Sequence, residues 1–248
     1  MNNIRDYFDV AKQYLDIVEK ESEADIKQAS EMFADCFENN GIVQLCGIKH
    51  GLEFAMELGY RAGGLMPFHR FNLGDLVLKD IIEQDEFETI EVWDREDLVD
   101  KVFELYNIHP ADMFLICDFA GYEAFATEVA LRAKREGRKV IAVISKAESA
   151  HHSSTHSSGK KVEDVADLVI DTHTPYPDLA LEVKGGLKMG QLSTFCGNII
   201  AQMITGETYR YLTEQGKECP VLLSANVKGA DVHNREISDK YVGRWNSI

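Results

Sequence analysis

Positive charge is scarce in this chain: 26 lysines and arginines stand against 42 aspartates and glutamates, a formal net charge of −16 over 248 residues. A field of that sign repels nucleic-acid phosphates and anionic membrane surfaces, so neither is an expected partner. It also opposes anionic metabolites, and a phosphate site would need local compensation. Cysteine is sparse as well. Cys36, Cys46, Cys117, Cys196 and Cys219 are odd in number, widely spaced and mostly set in apolar segments, which excludes a disulfide framework and, with no CxxC pair, a thiolate metal site. No apolar run approaches the length that spans a bilayer, and the start MNNIRDYFDV lacks the positive-then-apolar order of a signal peptide, so a cytoplasmic protein is expected. Repeats, low-complexity tracts and linkers are absent too, so residues 1–248 are expected to form one domain. Its 45% hydrophobic content is enough for a packed core.

What is present is periodicity. Ile4, Tyr7, Phe8, Ala11, Tyr14, Leu15 and Val18 fall on one helical face, and Ile26, Ala29, Met32, Phe33, Cys36 and Phe37 on a second. A helical hairpin over residues 1–40 is predicted, with Ser22 and Asp25 as a capping box. An α/β core over 41–218 follows: strand Ile42–Cys46, helix Leu52–Ala62, a short strand near Leu65–Phe68, a helical stretch Trp93–Tyr106 and strand Met113–Cys117. Helix Tyr122–Arg135, strands Val140–Ile144 and Asp167–Asp171, and a long helix Ser193–Gln215 complete it. Residues 219–248 form a tail. Alternating strands and helices predict a three-layer α/β/α fold around a five-stranded parallel sheet.

The chemistry-bearing residues sit where strands end. The first strand exits into Gly47-Ile48-Lys49-His50-Gly51 and the third into Asp118-Phe119-Ala120-Gly121, each just before a helix. Turns of this kind offer free amides to an anion. Neither matches the dinucleotide fingerprint GxGxxG or the phosphate loop GxxxxGK[ST], and glycine serves tight turns for steric reasons alone. The strand Val140–Ile144 is followed by the run His151-His152-Ser153-Ser154-Thr155-His156-Ser157-Ser158-Gly159-Lys160-Lys161. At the carboxyl end of a parallel sheet such a run suits a small-molecule site. Its histidines have no carboxylate or thiolate at ligand spacing, so no metal is assigned to them.

Taken in order, Gly47–Gly51, the stretch Glu57-Leu58-Gly59-Tyr60-Arg61-Ala62-Gly63-Gly64, the HSSGKK segment, Leu187–Thr194, Ser224–Val227 and the tail Asp231–Glu236 give the chain a family likeness. It resembles the SIS (sugar isomerase) family of phosphosugar-binding domains, within it a bacterial subgroup of stand-alone proteins of similar length, some labelled phosphoheptose isomerases. The resemblance implies a flavodoxin-like strand topology, a hairpin used in dimerisation, and a homodimer or homotetramer, with Tyr7, Tyr14, Phe33 and Phe37 partly buried between subunits. It implies a sugar phosphate or amino sugar as ligand and aldose–ketose isomerisation through an enediolate, without redox cofactor or metal. His50, Glu57 and His233 are then the acid/base candidates, with His233 in the tail by which the subgroup completes a site, its own or a neighbouring subunit's. Gly47, Lys49, Gly51, Asp118, Gly121, His156, Ser157, Ser158, Ser193 and Thr194 are the candidate ligand contacts.

Two departures stand against the family pattern. Relatives carry Thr and Ser around the first-loop His, where this chain has Ile48 and Gly51, and their third loop reads Ser-Asn-Ser-Gly where this one reads Asp118-Phe119-Ala120-Gly121. A carboxylate facing a phosphate is repulsive unless a cation intervenes, so Asp118 is screened by a cation such as Lys49, points away, or reads a hydroxyl or amine. A non-enzymatic carbohydrate sensor or partner protein, and an amino-sugar phosphate lyase, therefore remain as alternatives.

Overall fold

The computed structural model describes residues 4–59 and 61–244; Tyr60 of the Glu57–Gly64 stretch and the outer ends of the hairpin and tail lie outside them. In chain order the elements are α1 (Ile4–Glu21), α2 (Glu23–Glu38), β1 (Val43–Gly47), α3 (Gly51–Leu58), β2 (Phe68–Arg70), short α4 (Asp75–Leu78) and α5 (Gln84–Phe87), α6 (Leu98–Leu105), β3 (Met113–Cys117) and α7 (Ala124–Arg135). There follow β4 (Val140–Ile144), one-turn α8 (Lys146–Ser149), β5 (Leu168–Asp171), the hairpin β6 (Leu181–Val183) and β7 (Leu187–Met189), α9 (Ser193–Glu214) and α10 (Ala230–Ser238).

Five strands form one sheet in the order β2-β1-β3-β4-β5, and every pairing in it is parallel. This is the flavodoxin-like order. Strand residues alternate between two cores. Val43, Leu45, Leu115, Ile141, Val143 and Ile170 pack with α2, α3 and α9 on one face, while Cys46, Phe114, Ile116, Ala142 and Ile144 pack with α6 and α7 on the other. Burial on both faces is why the strands read as unbroken apolar runs.

The hairpin differs from its sequence reading. Phe33 and Phe37 are 0% and 8% exposed within their own chain, and both rings meet Phe68 edge-on at 5.5 and 5.8 Å. Helix α2 is thus a covering helix of the sheet, and these aromatics need no neighbour to bury them. Tyr14 packs against the same core, and the Tyr7 hydroxyl donates to the Gln191 carbonyl at 2.6 Å. Ser22 makes no cap; its hydroxyl donates to the Asp171 carbonyl at 3.2 Å.

Three boundaries also move. Strand β2 begins at Phe68, because Pro67 has no amide to donate, and the residues before it turn to the tail: Leu65 bridges Val221 and Met66 N–H bonds the Pro220 carbonyl. Helix α3 stops at Leu58 before the extended Gly59. The predicted helix Trp93–Tyr106 is a 3₁₀ turn, Ile90–Asp94, followed by α6.

Candidate functional site at the carboxyl edge of the sheet

Because β1, β3 and β4 are parallel and adjacent, the loops leaving them share one edge. Ile48 N–H bonds the Cys117 carbonyl, Asp118 N–H the Val143 carbonyl, Ser145 N–H the Phe119 carbonyl and Thr155 N–H the Tyr122 carbonyl. Gly47 and Gly51 make this convergence possible sterically. A Cβ on Gly51 would meet the Cys117 carbonyl oxygen at 2.3 Å, and one on Gly47 the Gly51 carbonyl oxygen at 2.5 Å. Both glycines are buried and allow α3 to start against β3. Between them Lys49 takes a left-handed φ of 50°, uncommon for a residue with a side chain.

His50 occupies the corner between α3 and α9. Its ring stacks on Phe119, centroids 5.0 Å apart, and Nε2 lies 3.2 Å from the hydroxyl of Ser193, the first residue of α9. The start of α9 is fixed in turn by Asp178, whose Oδ1 accepts the N–H groups of Leu192 and Ser193 at 3.0 Å each. Burial lowers the His50 pKa below its ordinary value, against the opposing pull of Asp178, Glu53 and Glu123. A neutral imidazole held this way is a competent proton acceptor. Thr194 follows on the first turn, half-buried.

Beneath this corner lies a carboxyl pair that sequence reading did not assemble. Asp118 is 2% exposed; its Oδ1 accepts the Gly121 N–H at 2.9 Å and its Oδ2 the Glu123 N–H at 3.3 Å. Glu123 Oε1 pairs with Lys49 Nζ at 2.5 Å. Its Oε2 finds no amide or hydroxyl donor, and the Asp118 carboxyl is its hydrogen-bonding neighbour. One shared proton satisfies both. Burial, then the Glu123 charge, push Asp118 well above the carboxylate range. Burial works the same way on Glu123, but the Asp118 hydrogen bond and the Lys49 ammonium outweigh it and hold Glu123 below its ordinary value. The Lys49 ammonium also sits 5.2 Å from the Tyr122 ring centre.

The HSSGKK segment folds onto itself and onto α7. His156 Nε2 lies 3.0 Å from Glu128 Oε2 and 3.5 Å from Glu96 Oε2, and Nδ1 accepts the Ser158 N–H at 3.0 Å. Ser157 donates its N–H and hydroxyl to Glu96 at 2.6 and 2.8 Å. Carboxylates absent from the local sequence therefore do reach His156, from Glu128 and Glu96, 28 and 60 positions away. With Nδ1 accepting, Nε2 carries the proton and donates to glutamate, so the ring's bonds are complete. These three residues anchor the loop and are not brought to His50. Lys161 Nζ likewise bonds the Ser149 carbonyl at 2.5 Å.

Two acid/base candidates are not brought to His50 either. Glu57 pairs with Arg61 and accepts from Gln202 Nε2 at 2.6 Å, so both oxygens are engaged along the α3–α9 seam. His233 donates from Nε2 to the Val221 carbonyl at 2.9 Å. Helix α10 packs with Ile42 and Met66, which precede β1 and β2, so within one chain His233 lies at the opposite, amino edge.

A parallel sheet in this order, with glycine-bearing loops converging on a histidine, is an open α/β fold of the kind that takes its ligands at the carboxyl edge, and sequence comparison gives its family. The SIS domain model matches residues 6–145; the chain belongs to the SIS domain family. It is similar to a UPF0309 protein of Geobacillus kaustophilus, 32% identical over 243 residues, 97% of this chain and 95% of that one. It is also similar to a UPF0309 protein of Thermoanaerobacter pseudethanolicus, 30% identical over 245 residues, 96% and 97% of the two chains. Among solved structures, the phosphoheptose isomerase GmhA of Neisseria gonorrhoeae superposes with a TM-score of 0.57 at 14% identity, over 82% of this chain and 95% of that one. A phosphoheptose isomerase of Francisella tularensis gives 0.55 at 15% identity, over 84% and 96%. At such identities the likeness is one of fold. No helix among the described residues is long and apolar enough to cross a membrane, and all five cysteines are free.

Proposed function

We propose that the chain binds a sugar derivative, of the phosphosugar class or its unphosphorylated counterpart, at the carboxyl edge of the sheet, and interconverts its aldose and ketose forms. The observation that carries this reading is the partly buried His50 fixed between Phe119 and Ser193 where the loops meet. Isomerisation needs a base to take the proton from the carbon next to the carbonyl and an acid to return it to the former carbonyl carbon, while the hydroxyl proton passes from one oxygen of the enediolate to the other. A single imidazole on one face of the enediolate can do both. In this reading the Ser193 hydroxyl beside His50 steadies the developing oxyanion, and no redox cofactor is required. The family membership and the two phosphoheptose isomerase folds support the substrate class.

A second reading, a non-enzymatic carbohydrate sensor, draws support from the engagement of Glu57 and the distance of His233 from the corner. Wild-type protein and His50→Asn, incubated with an aldose–ketose panel in deuterated water, separate the two. The isomerase reading expects deuterium at the sugar's second carbon with wild type only. Ligand-induced thermal stabilisation in both proteins without exchange in either would establish the sensor instead.

A further inference from the structure

We infer that the Asp118 carboxyl is a built-in occupant of the anion seat at the amino terminus of α7, so that the part of the ligand lying over this loop is an uncharged, hydroxyl-bearing portion of a sugar and not a phosphate. The substrate half of this inference rests on the carbohydrate-binding reading above.

Helix α7 is 12 residues long and leaves a buried parallel strand through a short turn. Such a helix start presents unsatisfied N–H groups and the positive end of the helix dipole, the ordinary seat for an oxyanion. Here the seat is filled from within the chain. The N–H groups of Gly121 and Glu123 point at the two Asp118 oxygens, and the N–H of Ala124 bonds the Thr155 hydroxyl at 2.9 Å. A planar carboxyl group whose two oxygens accept two amides takes the place of two oxygens of a phosphate.

The loop is packed closely around its own carboxyl pair. Gly121 has a φ of 73°, and the place its Cβ would take lies 3.1 Å from Ser149, so the turn is packed against α8. Asp118 is 2% and Glu123 1% exposed. An incoming phosphate would have to break both amide bonds, expel the Asp118 side chain and face the Glu123 carboxylate. The cation beside it, Lys49, is already held by Glu123, and Lys161 by Ser149. A sugar hydroxyl asks for no counter-charge. The surface it meets offers the Lys49 ammonium, which Glu123 holds on one side and which stays 27% exposed, as a hydrogen-bond donor beside the half-buried His50 ring.

The test has two arms. In the first, inorganic phosphate is titrated calorimetrically into the wild-type protein and into Asp118→Ser/Ala120→Ser, which empties the seat and supplies hydroxyls. The expected result is no detectable binding to wild type and a gain of at least about tenfold in the double variant, roughly 1.4 kcal/mol. Phosphate binding to wild type as tight as to the variant, with the Gly121 amide resonance shifting, overturns the inference. In the second arm, aldoses that stabilise the wild-type protein are compared with their phosphate esters. Equal or tighter binding of the unphosphorylated member is expected, and an ester preferred by about tenfold or more contradicts it even if the double variant does not fold. If neither member of any pair binds, the carbohydrate reading fails and the substrate half falls with it; the phosphate titration still decides whether the seat is filled.

Discussion

At the scale of single residues, His50 and Gly51 carry the account in different ways. The His50 pKa lies below its ordinary value of 6.5 because burial disfavours the imidazolium. The folded state therefore takes up this proton at lower pH than the unfolded chain does. The stability it contributes is complete above the ordinary histidine value and is lost as pH falls through the depressed folded value. An NMR titration following the His50 ring is expected to give a midpoint below that of an exposed histidine, and a midpoint above it would remove the neutral base. His50→Asn should also flatten the loss of stability between neutral pH and the folded midpoint. Gly51 contributes through the absence of a side chain. Gly51→Ala drives a methyl into the Cys117 carbonyl and is expected to cost about 1–3 kcal/mol in urea unfolding, the range of overpacked sites. Stability unchanged within error would show that α3 can shift freely against β3.

At the scale of elements, the position of Ser193 depends on how α9 begins. Asp178, fourteen positions upstream, caps the helix by accepting two of its first amides. Asp178→Ala is expected to cost about 0.5–2 kcal/mol, as other cap losses do. It should also weaken ligand binding by loosening the Ser193–His50 contact. A variant with lowered stability and unchanged affinity would detach α9 from the site. The strands were legible because a parallel sheet covered on both faces leaves unbroken apolar runs such as Val140–Ile144. Ends were less so: Pro67 delays β2, and Gly59 ends α3 sooner than its apolar pattern does. The HSSGKK segment read as a ligand loop because its composition is polar, whereas its meaning lies in Glu96 and Glu128, which no local pattern ties to it. The Asp118–Glu123 pair escaped notice for a related reason. The sequence shows an acid in a loop, but only the fold turns it inward onto its own amides.

At the scale of the whole molecule, the sheet separates two ends with different tasks. The carboxyl edge gathers Lys49, His50, Asp118 and Ser193, all singled out in the sequence. The amino edge is closed by α10, with Asn234 bonding both the N–H and the carbonyl of Leu223 and Arg244 pairing with buried Asp112. His233 belongs to that fastening, so any part it plays in catalysis requires the site of a neighbouring copy. The division also shows why membership in a family does not fix a ligand. The order of strands is shared with the solved phosphoheptose isomerases, while what the loop at the start of α7 can hold depends on the side chain seated there, here Asp118. The central claim, a sugar site at the carboxyl edge, is tested most directly by titrating a stabilising sugar into isotope-labelled protein and mapping the shifted amide and histidine resonances. The account predicts shifts concentrated in residues 47–51, 118–123 and 191–194, with the His50 ring among the largest. Shifts confined to the amino edge, at Asp112, Leu223, His233 and Asn234, with the His50 ring unmoved, would contradict it.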